Sequence, residues 1–217
     1  MIAQWCARCL DLLIPFGCAG CDGPVGCGAV WCDACAEGLV PAAHAVLQSP
    51  GASAIPVLAA HAYAGPVQPA LHRFKFSGRA ELADRLGREV SDTIQRVQLP
   101  SDAILVPVPL TPQRLVERGY NQSALLAGSI ARRLALAHRA RALVRVHDGS
   151  HQVGANRVER AEQVSGAFRV GSRRIDQKNV ILVDDVLTTG ATATACAEAL
   201  VGAGARVIAI ATVARVL

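Results

Sequence analysis

The sequence predicts an α/β fold, a parallel sheet flanked by helices, with a small cysteine-rich unit at its N-terminal end. Three observations carry that prediction. From residue 57 onward, short aliphatic or β-branched runs alternate with stretches of helical period, the pattern of parallel strands joined by crossover helices. Seven of the eight cysteines lie within the first 35 residues. The apolar run 180–183 leads through two aspartates into a hydroxyl-rich turn, and the carboxyl edge of a strand is where open α/β sheets bind ligands.

Composition sets the outer bounds. A chain of 217 residues, 52% hydrophobic and 18% charged, is neither collagen, a long coiled coil nor a disordered tail, and suits one substantial domain plus an appendage. The net charge of +5 comes from 22 basic and 17 acidic residues, and only Lys75 and Lys178 are lysines. That balance is compatible with phosphate-bearing partners without requiring them, and arginine with alanine is also what a GC-rich genome supplies. The first residues, MIAQWCARCLDLLIPFG, lack a basic n-region and carry Asp11 among their few apolar positions, so they do not read as a signal peptide. Locally clustered cysteines then point to a reducing cytoplasm. Windows 54–71 and 196–214 are interrupted by prolines or charges, so membrane insertion is not expected.

Residues 1–40 form the appendage, expected as a four-cysteine zinc ribbon. Cys18-x2-Cys21 and, ten residues on, Cys32-x2-Cys35 each offer two thiolates to one edge of a tetrahedral ion. Cys6, Cys9 and Cys27 leave other ligand sets open. The set Cys18, Cys21, Cys32, Cys35 is preferred because its second pair opens DACAEGL, a stretch able to start a helix. Four thiolates close the coordination sphere, so the Zn2+ is read as structural. A redox CxxC is the competing reading, but no pair here follows a strand and opens a long helix.

Residues 41–56 hold three prolines, two serines and a glycine and read as a connector. The main domain, 57–217, begins with a strand at about 57–63. A helix over 79–97 follows, with Leu82, Leu86, Val90, Ile94 and Val97 on one face. A strand at about 103–108 leads to a helix over 121–136, with Asn121 as N-cap and Leu125, Leu126, Ile130 and Leu134 inward. A strand at about 142–146 and a loop over 147–179, rich in glycine and arginine, come next. Strand 180–184, an alanine-rich helix over 190–203 ending at Gly202/Gly204, and strand 206–213 close the domain.

The segment VILVDDVLTTGAT (180–192) carries the sharpest chemistry. A helix N-terminus presents unpaired amides and a partial positive charge to a monophosphate; Thr188, Thr189 and Thr192 add hydroxyls, and Gly190 permits close approach. Asp184 and Asp185 repel a phosphate but suit a neutral diol, accepting hydrogen bonds from vicinal ribose hydroxyls. There is no GxxxxGK[ST] loop and no GxGxxG after a strand, so ATPase and dinucleotide-binding readings fall away.

This string resembles the 5-phosphoribosyl-1-pyrophosphate (PRPP) motif of type I phosphoribosyltransferases. Further segments resemble the ComF family, associated with DNA uptake and competence: the four-cysteine unit, AYAGPVQPALHRFKFSGRAELADRLG at 62–87, LVPVPLTPQRLVERGYNQSALLAGSIARRL at 105–134, and Gln152 with ANRVERAEQVSGAF at 155–168. Nearly the whole chain is covered. The resemblance implies a type I phosphoribosyltransferase-like sheet in which Asp184 and Asp185 bind ribose. Thr188, Thr189, Gly190, Ala191 and Thr192 would bind the 5-phosphate. It makes the loop from Pro107 through Thr111, with Val108 and Pro109, the pyrophosphate loop, with Arg114 and Arg118 meeting its charge, and Lys75 within reach of a phosphate. Gln152, Arg157 and Arg160 fall in the segment resembling the loop that closes over PRPP. Mg2+ would be held chiefly by the ligand's own oxygens. One departure is the missing second CxxCG segment of many members, since 36–60 has no cysteine; a single zinc is expected.

Two functions fit. One is a phosphoribosyltransferase that displaces pyrophosphate from C1 of PRPP by a nitrogen nucleophile, its acceptor unidentified. The other is a non-catalytic module that senses PRPP or a nucleotide while engaging single-stranded DNA or a DNA-processing partner. Arg132, Arg133, Arg139, Arg141 and Arg145 form a run that suits either a solvated face or a nucleic-acid backbone.

Overall fold

A computed structural model describes residues 17–26, 28–49, 54–146, 166–171 and 175–217. The second cysteine pair does open a helix, α1 (Asp33–Glu37), with Asp33 in the first turn, where the dipole favours an acid. Next come β1 (Ala45–Leu47) and β2 (Ile55–Ala62), paired antiparallel with Leu47 opposite Ile55. β1 lies inside the segment expected as a connector. Three residues are too few to show a period, and what holds them is tertiary: Ala45 and Leu47 pack on the core.

α2 (Val67–Phe76) was not anticipated; it buries Val67, Ala70, Leu71 and Phe74 on one face. α3 (Leu82–Gln95) buries Leu82, Leu86, Val90 and Ile94 as the periodicity predicts, whereas Val97 lies beyond its end and is exposed. β3 (Ile104–Pro107) is followed by α4 (Pro112–Arg118), whose N-cap Thr111 accepts a hydrogen bond from the Arg114 amide at 3.2 Å. Asn121 caps α5 (Gln122–Leu134) in the same way, accepting from the Ala124 amide at 3.2 Å. The rest is β4 (Ala137–His138), β5 (Leu143–Arg145), β6 (Phe168–Val170), β7 (Asn179–Leu187), α6 (Ala191–Gly202) and β8 (Arg206–Arg215).

Six strands form the main sheet in the order β1-β2-β8-β7-β3-β4, and every neighbouring pair except β1–β2 is parallel. The strand expected at about 142–146 exists but is not in this sheet. β5 pairs antiparallel with β6 as a separate ribbon, because Leu143 and Phe168 pack into the core beside α6 while Val144 faces solvent. β6 also lies within 147–179, so that segment is not loop throughout.

The alternation of β7 sorts the core. Ile181 and Val183 join the buried faces of α2, α3 and α5, with Cys18 and Trp31 of the cysteine unit; Val180 and Leu182 join α6, β5 and β6. The cysteine unit and α6 therefore sit on opposite faces of the sheet. The parallel central strands bring their carboxyl ends to one edge. Among the described residues no helix is long and apolar enough to cross a membrane.

Candidate functional site

At that edge β3 ends at Pro107, in register with Val183, and the Val108 amide donates to the Val183 carbonyl at 2.9 Å, while β7 runs on to Leu187, past the end expected at 184, because β8 pairs with it that far. A cavity of about 280 Å³ opens above them. Asp184 and Asp185 line it together with Val108, Pro109, Arg114, Arg118, Lys75, Thr188 and Thr192. Pro107 itself is buried within β3. Thr189, Gly190 and Ala191 do not line the cavity. Gly190 is instead the left-handed N-cap of α6, at φ 82°, with the Leu47 side chain packed where a Cβ would project. Gln152, Arg157 and Arg160 lie outside the described residues, as do Cys6, Cys9 and Cys27.

The acidic pair is wired unequally. Asp185 is buried and its Oδ1 lies 2.9 Å from Lys75 Nζ. Asp184 Oδ1 accepts from Ser123 Oγ and from the Asp185 amide, both at 2.9 Å. Burial, followed by the charge of Asp185, lifts the Asp184 carboxyl up to about 7 against those two hydrogen bonds and Lys75. One carboxylate is thus balanced by a cation, while the other gains a proton near neutral pH.

Arg118 is braced on two sides, donating to Gln122 Oε1 at 3.2 Å with its guanidinium 4.9 Å from the centre of the exposed Phe76 ring. Tyr120 packs: its hydroxyl donates to the Phe74 carbonyl at 2.6 Å.

Tyr63, Gln122, Ser123 and Arg145 line the cavity although the sequence reading gave them no site role, as does Val186. Tyr63 directly follows β2, so the carboxyl-edge rule applied to that strand would have found it. Gln122 and Ser123 open α5, beside the expected pyrophosphate loop. Arg145 had been grouped with the basic run, which the structure divides. Arg132 and Arg133 pair with Asp84, while Arg145 lines the cavity near the Phe168 ring.

The Sγ atoms of Cys18, Cys21, Cys32 and Cys35 all lie within 4.8 Å of one another, and Cys21 and Cys32 approach to 3.7 Å. Tetrahedral zinc with Zn–S of about 2.3 Å places its sulfurs about 3.8 Å apart, so the residues fit that ion. Burial opposes ionisation of Cys18, but amides of Cys32, Cys21 and Gly20 pull its thiol down to about 6. Burial and the neighbouring thiols push Cys35 up to about 12. The cluster is consistent with a zinc ribbon.

Residues 121–217 match the model of the phosphoribosyl transferase domain. The DNA utilization protein YhgH of Escherichia coli (strain K12) is 33% identical over 150 residues, covering 67% of this chain and 66% of that protein. The chain thus spans about two thirds of that relative's length. The Salmonella typhi protein of the same name is 29% identical over 95% of this chain and 87% of its own. The competence protein ComFC of Bacillus subtilis (strain 168) is 32% identical over 66% of this chain and 57% of its own. The likeness to both a DNA utilization protein and a competence protein places the chain in the ComF/YhgH family, with a phosphoribosyltransferase domain on a mostly parallel sheet.

Proposed function

We propose that the cavity binds PRPP and that the protein transfers its phosphoribosyl group to a nitrogen acceptor. The observation that carries this reading is the juxtaposition of Asp184 and Asp185 with Thr188 and Thr192 and with Arg114 and Arg118 around one cavity. The aspartates accept hydrogen bonds from the ribose hydroxyls, and the hydroxyls and first-turn amides of α6 hold the 5-phosphate. Gly190, Ala191 and Thr189 shape that turn. Val108, Pro109, Arg114 and Arg118 face the pyrophosphate.

In the reaction the bond from C1 to the pyrophosphate oxygen breaks, and its electron pair leaves with pyrophosphate. A C1–N bond forms and the nitrogen gives up a proton. The arginines stabilise the charge on the departing group, and the carboxylates hold the ribose so that C1 stays aligned. Magnesium, bound with the ligand's own oxygens, supplies further charge neutralisation. The four thiolates of Cys18, Cys21, Cys32 and Cys35 hold one zinc, countable by metal analysis.

Calorimetry with PRPP and magnesium tests the site. Wild type binds, and the Asp184→Asn/Asp185→Asn double variant loses at least about a hundredfold in affinity. Wild-type protein that takes up no heat with PRPP sinks the reading. The names of the relatives, DNA utilization and competence, favour a DNA-linked role for the phosphoribosyl site. In the non-catalytic version PRPP binds without release of pyrophosphate over a panel of bases and ammonia, and DNA affinity survives the double Asp→Asn change.

A further inference from the structure

The cysteine unit and the cavity share one helix. On one side of α2, Arg73 Nη1 donates to the carbonyls of Ala19 and Gly20 at 3.0 and 2.5 Å, and Arg73 Nε lies 3.1 Å from Asp22 Oδ2. Ala19 and Gly20 are the two residues between Cys18 and Cys21. The same loop touches the other end of the helix, because a Cβ on Gly20 would come within 2.8 Å of Pro66 Cβ and 2.9 Å of Cys35 Sγ. Pro66 is the N-cap of α2. The loop between the first two thiolates therefore bears on both ends of this ten-residue helix.

Lys75 is two residues from Arg73, which turns its side chain about 200° around the helix axis. It leaves the opposite side and meets Asp185 at 2.9 Å. Tyr120 and Gln122 hold the last turn from the cavity side, donating to the carbonyls of Phe74 at 2.6 Å and Lys75 at 3.4 Å. A guanidinium with three acceptors anchors the helix to the cysteine loop, and an ammonium two residues on delivers the one lysine of the cavity.

We propose that Arg73 is a positioning residue for the phosphoribosyl site: it locks α2 to the 18–21 loop and so sets where Lys75 stands relative to Asp185 and the ligand phosphates. This deepens the PRPP reading and rests on it for the identity of the ligand. Arg73 touches nothing in the cavity, so its influence passes through Lys75.

A double-mutant cycle on the zinc-loaded full chain tests it, with PRPP and magnesium as the probe. Arg73→Ala weakens binding about tenfold, Lys75→Ala does so at least as much, and the double variant binds no worse than Lys75→Ala alone. Arg73→Lys, which keeps one carbonyl contact, recovers part of the loss. Hydrogen exchange supplies a readout independent of the ligand: amides of α2 exchange faster in Arg73→Ala, while those of β7 do not. Losses from Arg73→Ala and Lys75→Ala that multiply, wild-type affinity in Arg73→Ala, or unchanged exchange in α2 each overturn the proposal. If wild type fails to bind PRPP, the ligand reading has failed and exchange in α2 alone decides this one. If Arg73→Ala does not fold, the surface change Asp22→Asn takes its place in the cycle, with a smaller loss in the same direction.

Discussion

Arginine does opposite work in the cysteine unit and in the cavity. Where the cysteine unit docks on α3, Arg85 is buried and donates to the carbonyls of Gly17 at 2.7 Å and Val30 at 2.9 Å, and also to that of Ala29. Arg88 adds the carbonyl of Gly28 at 2.6 Å. These guanidiniums serve neutral backbone oxygens of the cysteine unit, and burial pulls Arg85 below its ordinary range. In the cavity, Arg114 and Arg118 border space large enough for a ligand, facing a carboxylate pair only half balanced by Lys75. The net charge of +5 therefore mixes two populations. One glues the appendage to the domain, and the other borders the cavity, where in the proposed function it binds the anionic ligand.

Exchanging residues between the two roles separates them. The largest effect is expected from Arg85→Ala, which removes the hydrogen bonds to the carbonyls of Gly17, Ala29 and Val30; it should cost about 3 kcal/mol, a thermal midpoint lowered by about 10 °C. A midpoint within a degree or two of wild type would show that the docking does not depend on this side chain. Gly190→Ala comes next, at about 2 kcal/mol, since φ 82° strains any β-carbon and Leu47 occupies its space. Chemical denaturation reads that loss, and a neutral result would mean that β1 shifts freely.

Arg118→Ala should leave stability within about 1 kcal/mol of wild type and weaken PRPP about tenfold, the reverse of the Arg85 outcome. Phosphoribosyl affinity unchanged in Arg118→Ala would remove that residue from the anion-binding population.

The smallest effect is on pH dependence. In the proposed role Asp184 accepts from a ribose hydroxyl most strongly when ionised, and its carboxyl sits at about 7, so affinity should rise a few-fold from pH 6 to pH 8. Stability of the ligand-free protein runs the other way. Between the ordinary 3.8 and about 7 the folded chain binds more protons than the unfolded one, so this group's contribution falls as pH climbs through that window. Titration calorimetry at several pH values checks the first, and denaturation across pH 4 to 7 the second. An Asp184→Asn variant that keeps the same pH profile would assign the proton elsewhere.

Much of this was legible in advance where the signal is local. α3 and α5 are long enough for several turns of period, and Asn121 marks the start of α5 by its own side chain. The carboxylate pair lies in the C-terminal half of β7, beyond the end of its neighbour β3, and the hydroxyl turn follows directly, at the carboxyl edge that any parallel sheet exposes. α2 escaped because Pro69 reads as a helix breaker, although the stripe Val67, Ala70, Leu71, Phe74 keeps the helical spacing and Pro69 sits in the first turn, where its missing amide costs nothing. β1, β4 and β6 have two or three residues each, below any detectable period.

By itself, the sequence determined the kind of fold, the place of the thiol cluster and the chemistry of the acidic edge, because strand alternation, ligand spacing and helix-end chemistry act over a few residues. Only the tertiary structure decided that β5 leaves the main sheet, that Arg145 and Ser123 reach the cavity, and that Lys75 pairs with Asp185 across 110 positions of chain. Those outcomes depend on which surfaces meet when the helices close over the sheet, and contacts between distant segments leave no period for a sequence to display.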